Sequence, residues 1–274
     1  ELRFQTQPLP AFNTCWGQFA SGDRAGVALA WQAWCATLPD SVWSQCQIAV
    51  DSVGHLLLSV FVVAFDTAAA LRTQWDRFLA ATPVAPTAQD PAQLLSAATL
   101  LMNRCADLTA AQCHLPSQAS GGVMPRVAMT ASSDFFAQPM PAAGMQTLVD
   151  ALTARGRAGR GGTVIIDLMG GAIARVATDA TAFPHRDALF SAQYLTEGLA
   201  GSGTPAQLDD DARWTHSLRG AMAPWSTGGA YVNYPDAAIT DPASAYYRDN
   251  VARLRAVKRA VDPGSVFKTS LATL

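Results

Sequence analysis

The chain has 274 residues, half of them apolar, and a formal charge of −2 at neutral pH. That length can bury a sizeable core without disulfides or metals, and no basic stripe is present to neutralise phosphates, so nucleic acid is not an expected partner. The longest apolar runs, at 56–65 and 94–102, are too short or too interrupted to cross a bilayer, so no membrane span is expected.

Residues 1–7 read as a strand already under way, with no initiator Met and no signal peptide, so further chain is expected upstream and the localisation is unknown. Residues 12–19 carry a β-rich pattern. Val27, Ala30, Trp31, Trp34 and Cys35 recur at helical spacing within 23–37, and Ser21 or Asp23 can cap that helix. Two β-rich runs, 45–50 and 55–64, flank Asp51-Ser52-Val53-Gly54, a hairpin signal. A second helix is expected over 67–81, stopping before Pro83, and the Pro/Ala/Thr stretch after it reads as loop. Residues 93–103 read as helix, 114–124 as a Ser/Gly-rich loop, and 126–130 as a short strand leading into Ser132-Ser133-Asp134. The spacing of Met145, Leu148 and Leu152 predicts an amphipathic helix over 141–155. A Gly/Arg-rich turn, 156–162, precedes strands at 163–168 and 189–194. Helices are expected over 205–222 and 242–261, separated by Gly228-Gly229 and the segment 230–236; Asp262-Pro263-Gly264 stops the last one. Antiparallel strands interleaved with long helices predict an α+β fold, a large antiparallel sheet covered on one face by helices.

Several features have plain readings. The five cysteines, Cys15, Cys35, Cys46, Cys105 and Cys113, lack metal-ligand spacing. Cys105 and Cys113 flank a short polar segment and could bridge in an oxidising compartment, but spacing alone does not supply the geometry. Asp209-Asp210-Asp211 points in three directions on a helix, so it reads as a solvated first turn favoured by the helix dipole, and no metal site is expected. Gly159-Arg160-Gly161-Gly162 precedes a strand and is therefore no dinucleotide fingerprint. Trp16, Trp31, Trp34 and Trp75 are expected in the core, whereas Trp214 and Trp225 could line a pocket. Phe183-Pro184-His185-Arg186 reads as scaffold, with Pro184 fixing the approach to the next strand.

The most informative stretch is C-terminal: Ala230-Tyr231-Val232-Asn233-Tyr234-Pro235-Asp236, then Tyr246-Tyr247-Arg248-Asp249-Asn250, Arg253-Leu254, Val257-Lys258, Asp262-Pro263 and Phe267. It resembles the C-terminal signature of the berberine-bridge-enzyme-like FAD-linked oxidases. An earlier block resembles the sheet of that family that faces the flavin: Gly170-Gly171-Ala172-Ile173-Ala174-Arg175-Val176, Thr181 to Arg186, and Leu189-Phe190-Ser191-Ala192-Gln193-Tyr194. Departures are local. Arg248 stands where glycine is usual, and Ser191 where plant members often carry Lys, which argues against plant-like substrates.

The resemblance implies a substrate-binding domain, 1–228, and a C-terminal segment, 229–274, that packs on an FAD-binding module upstream of residue 1. FAD, covalently attached through that module, is the implied cofactor, so none of the cysteines or histidines here inherits the attachment role. The implied reaction is oxidation of a CH–OH group of a sugar or secondary-metabolite alcohol; a flavin-free binding module retaining the fold is the alternative. If residues 231–234 are extended, Tyr231 and Asn233 share one face. Tyr231 is the candidate base, since a phenol whose neighbours lower its pKa from about 10 can take a proton from a substrate hydroxyl, the plain alternative being a buried core Tyr with a satisfied hydroxyl; Asn233 is expected near the isoalloxazine. Gln193 cannot accept a proton at neutral pH, so it either hydrogen-bonds substrate or orients Tyr231, or is an ordinary polar residue on a solvated strand face.

Overall fold

The computed structural model describes residues 11–102, 105, 108–199 and 203–268; the strand expected over 1–7 lies outside them. Seven strands, β1 (Phe12–Phe19), β2 (Val42–Val50), β3 (Leu56–Ala64), β4 (Ala88–Leu95), β5 (Val127–Phe136), β6 (Gly162–Leu168) and β7 (Phe190–Leu199), form one sheet. Its order is β4-β1-β3-β2-β6-β7-β5, and neighbouring strands are antiparallel. The helices are α1 (Arg24–Cys35), α2 (Ala68–Ala81), α3 (Ala97–Met102), α4 (Ala142–Arg157), α5 (Pro205–Met222), α6 (Pro242–Tyr247) and α7 (Val251–Val261).

Period-two alternation decides which face is covered. On β2, Val42, Ser44, Cys46, Ile48 and Val50 are buried, and on β3 Leu58, Val60, Val62 and Ala64, while the residues between them stay partly open. Val27 and Trp31 of α1, Leu71 and Phe78 of α2, and Met145, Leu148 and Leu152 of α4 pack on that face as one core. Each such side chain stabilises the fold by about 1.5–3 kcal/mol on burial. Two polar side chains of α1 in this layer are paired: Trp31 Nε1 donates to Ser44 Oγ at 2.9 Å, and the Gln32 amide exchanges hydrogen bonds with the Met140 backbone at 2.9 and 3.0 Å. Asp23 and Thr67 cap α1 and α2, and Thr204 with Gln207 forms a capping box on α5. The expected α+β sheet with one helix-covered face is what the chain forms.

The other face carries a row of side chains in register across the whole sheet. Asp90 lies opposite Trp16, Trp16 opposite Phe61, and Phe61 opposite Gln45. Gln45 lies opposite Asp167, Asp167 opposite Ser191, and Ser191 opposite Phe135.

Several expectations are corrected. The stretch read as loop and then as helix from 93 contains β4, and α3 covers only Ala97–Met102. β4 is an edge strand, where Pro91 loses no ladder bond. β5 runs on through Ser132, Ser133 and Asp134 to Phe136, because those three polar groups are buried with partners. The last helix is broken at Arg248, which has φ 44°, ψ −126°. Asp210 and Asp211 are not simply solvated. Arg155, buried at the end of α4, donates to Asp210 at 2.9 Å and to Asp211, and Arg160 also meets Asp211 at 2.6 Å. Trp214 lies under the Arg155 guanidinium and against Gly162, and Trp225 against Gly144, so both pack against the core on the helical side, away from the open face. Trp31, Trp34 and Trp75 are core as expected, whereas Trp16 belongs to the row on the open face. Cys105 and Cys113 are disulfide-bonded with Cα atoms 5.6 Å apart, and Cys15, Cys35 and Cys46 are free and buried.

Candidate active site

After α5 the chain returns along the free edge of β5. Thr227 N–H donates to the Phe135 carbonyl at 2.8 Å, extending the strand ladder. Arg219 clamps the return, donating to the carbonyls of Ser133 and Gly228, each at 3.0 Å. Gly228 adopts φ 75°. Gly229 lies so close to His185 that an added Cβ would stand 2.4 Å from Cε1, so only glycine passes here. Tyr231 N–H then donates to Ser133 Oγ at 2.9 Å.

From that anchor the chain turns instead of extending: Tyr234 N–H closes a bond to the Tyr231 carbonyl at 2.9 Å. The alternation expected for 231–234 is therefore absent. The turn brings the expected pair together all the same, with Asn233 Nδ2 donating to Tyr231 Oη at 2.8 Å. The Tyr231 ring stands edge-on to Phe135, Phe183 and Tyr234, with centroids 6.3, 6.0 and 5.0 Å away.

These rings form one wall of a cleft of about 530 Å³ on the open sheet face. Trp43, Gln45, Asp167, Ser191 and Arg186 help complete it. Gln45 Nε2 donates to Asp167 Oδ1 at 2.8 Å. Burial pushes the Tyr234 hydroxyl above its ordinary value, and the nearby Asp167 and Tyr231 add to the shift. Gln193 is 8% exposed, between Ser133 and Ile165 in register, and does not line the cleft. It shares the sheet face of Ser191 and sits beside the serine that anchors Tyr231. Asn233 is exposed at the rim.

His185 lies beneath, stacked on Phe135 at 4.2 Å, with Nε2 3.2 Å from the Tyr246 carbonyl. Burial, and then the Arg248 guanidinium, hold its pKa down to about 4. A neutral, enclosed imidazole suits scaffold duty. On the far side of β5, Asp134 is 1% exposed, accepts from Tyr194 Oη at 3.0 Å and lies 3.7 Å from Arg219. Its burial pushes the carboxyl up to about 7 against the opposing pull of Arg219 and the hydroxyl bonds.

Residues 230–272 match the family described as Berberine and berberine like. Over that stretch the chain is similar to the berberine-bridge-enzyme-like proteins. Similar proteins include YgaK of Bacillus subtilis (strain 168), an uncharacterized FAD-linked oxidoreductase, 42% identical over 100 residues, 36% of this chain and 21% of that protein. Berberine bridge enzyme-like 26 of Arabidopsis thaliana is 28% identical over 162 residues, 53% of this chain and 29% of its own. Among solved structures, chitooligosaccharide oxidase matches with a TM-score of 0.79 at 22% identity, over 98% of this chain and 56% of its own. The grass pollen allergen Phl p 4, described as having glucose dehydrogenase activity, matches with a TM-score of 0.75 at 20% identity, over 97% and 55%. These likenesses show the fold, and the chain spans about half the length of those structures.

The motif reading singled out Tyr231 and Asn233, and its two blocks also hold Ile173, Phe183, Arg186, Ser191 and Tyr234 of the cleft lining, but Trp43, Gln45, Phe135 and Asp167 were not singled out. The available signal was polar residues, Gln45 and Asp167, at open-face positions of strands whose other face is apolar; which strands are neighbours was not readable.

Proposed function

We propose that this chain is the substrate-binding and C-terminal part of a berberine-bridge-enzyme-like, FAD-dependent oxidoreductase that oxidises a CH–OH group, with the division near residue 229. The observation carrying the reading is the phenol–amide pair at the mouth of an open cleft: Asn233 Nδ2 sits 2.8 Å from Tyr231 Oη, and Tyr231 lines the cleft. A planar, electron-poor ring fits the aromatic side chains that border the cleft. When bound, FAD supplies the electron sink that takes up a hydride at N5.

The chain's own residues do the rest. Tyr231, acting as its phenolate, takes the proton of the substrate hydroxyl at Oη and becomes the neutral phenol, and the Asn233 amide N–H that donates to that oxygen steadies the phenolate charge before the transfer. Gln45, Asp167 and Ser191 offer donors and acceptors that orient a hydroxylated substrate. Gln193 acts indirectly, as a packing neighbour of Ser133, which fixes the Tyr231 backbone. Flavin attachment belongs to the FAD-binding module, which this reading places outside the chain.

The test is the visible spectrum of the full-length protein, recorded without oxygen before and after addition of a panel of sugars and alcohols. A yellow protein that bleaches with a member of the panel is the expected result. A colourless protein, or a flavin that no CH–OH compound reduces, removes the reading and leaves a binding module.

A further inference from the structure

Between β5 and the returning chain the ladder makes one rung and then fails. Thr227 N–H bonds the Phe135 carbonyl, but Gly229 N–H turns back to Thr227 Oγ1 at 3.3 Å. The Ser133 and Gly228 carbonyls then lie within reach of one guanidinium, and two acceptors cannot bond each other. Arg219 supplies both donors, Nε–H to Ser133 and Nη2–H to Gly228, each at 3.0 Å. Its fork stands in for the missing rung. The ledge it holds carries Tyr231, whose N–H rests on Ser133 Oγ.

Asp134 reaches both halves of that ledge from the buried side. Its Oδ1 lies 3.7 Å from Arg219 Nε, and its carboxyl is bonded by the Ser226 hydroxyl, which in turn accepts from Gly228 N–H at 3.3 Å. Nε carries one proton, so the Ser133 carbonyl and the Asp134 carboxyl are alternative acceptors for it. A carboxylate makes a bond roughly twice as strong as a neutral acceptor does, and a protonated carboxyl has no such advantage. Burial holds the Asp134 pKa up to about 7, so both forms occur near neutrality. Facing the carboxyl are Arg219 from α5 and Tyr194 from β7, whose hydroxyl is kept protonated by burial and by Asp134 itself. His216, Arg248 and Asp241 share a polar cavity with Arg219; His216 lies 3.9 Å from a different carboxylate, Asp236, and Arg248 pairs with Asp187.

We propose that Arg219 and Asp134 are a positioning pair for Tyr231: a neutral Asp134 leaves Nε–H on the Ser133 carbonyl and the ledge closed, whereas an ionised Asp134 draws Nε–H to itself and frees Ser133. Neither residue lines the Tyr231 cleft, so the pair acts through the backbone that places the phenol. The link to turnover rests on the oxidoreductase reading above, whereas the exchange of acceptors stands on the geometry of β5 and the return alone.

Two readouts on the full-length protein test it, each comparing Asp134→Asn with wild type at pH 5.5 and at pH 8.5. Asparagine keeps the shape of the neutral acid and cannot ionise. Backbone deuterium exchange over 227–234 is expected to be alike in the two proteins at pH 5.5, and about tenfold faster in wild type than in the variant at pH 8.5. Comparison at one pH removes the intrinsic pH dependence of exchange. Anaerobic flavin reduction is read with a CH–OH compound that bleaches the wild type. The ratio of variant to wild-type rate is expected to rise about tenfold over the same interval with substrate affinity retained, and the ratio cancels the titration of Tyr231 itself. Arg219→Lys keeps the charge without the fork, and is expected to exchange fast and react slowly at both pH values with KM little changed. Exchange that differs by one constant factor at the two pH values overturns the switch of acceptors. A switch in exchange with a constant rate ratio overturns the positioning of Tyr231. If no compound bleaches the flavin, the redox reading falls and exchange alone decides the pair.

Discussion

Arg248 holds a backbone conformation, φ 44°, ψ −126°, in which a Cβ crowds its neighbouring peptide groups. The strain is on the order of 1–3 kcal/mol and is offset in part by an ion pair with Asp187 at 2.7 Å, of a partly exposed kind that contributes about 0–1 kcal/mol. Glycine, the residue usual here in the resembling family, has no such strain. Arg248→Gly is therefore expected to raise unfolding free energy by about 1 kcal/mol in urea titrations, and a loss of that size would mean the Asp187 pair dominates. The motif exposed this position as a departure, but its cost became visible only when the expected single helix proved to be two. Tyr231 and Asn233 were legible for a different reason than their geometry: residue types at a fixed offset were recognisable, while the turn that joins them depends on Ser133, nearly a hundred positions away. Ser133→Ala removes that anchor and is expected to slow turnover with little change in the melting temperature of the protein. Unchanged turnover would show that the turn holds itself.

At the scale of elements, the α4–α5 contact depends on one buried guanidinium. Arg155 joins Asp210, Asp211 and the Gly161 carbonyl while lying 5.0 Å over the Trp214 ring. Arg155→Ala leaves a void and takes their buried partner from Asp210 and Asp211, which keep only Arg213 and Arg160, and is expected to lower stability by about 2–4 kcal/mol. Arg213, whose contact to Asp210 is 3.7 Å and exposed, is the control: Arg213→Ala should change stability by less than about 0.5 kcal/mol. Equal effects of the two would contradict the clamp. Helices with strong periodicity, such as α1 and α4, were readable because burial and spacing coincide. β4 was not, since an edge strand carrying Pro91 and mostly exposed side chains has no alternation to show. The continuation of β5 was hidden by three polar residues that are buried only because Asp236, Tyr194 and the Tyr231 backbone pair with them.

For the whole molecule, two buried titratable groups set opposing pH dependences. His185 is held down to about 4, from 6.5, by burial and by Arg248. Between those values an unfolded chain gains a proton that the folded one refuses, so stability is lost as pH falls. Asp134, pushed up to about 7 from 3.8 by burial, keeps its proton in the folded chain across that range; its contribution is present at low pH and is lost as pH rises through 7. Asp134→Asn should therefore stabilise the protein more at pH 7.5 than at pH 4.5, as read from denaturant midpoints, and an identical effect at the two values would contradict a protonated Asp134. The overall α+β class followed from patterning, but the open-face cleft did not, because its lining joins residues from strands far apart in the chain, from Trp43 to Ser191.

The central claim is that Tyr231 carries the proton of the reacting hydroxyl, and the rate of anaerobic flavin reduction in full-length Tyr231→Phe protein tests it most directly. The substitution keeps the backbone bond to Ser133 and the ring contacts, so the site survives without the hydroxyl. The account predicts a fall of about 10²–10⁴-fold with substrate binding retained. Reduction at the wild-type rate would contradict it.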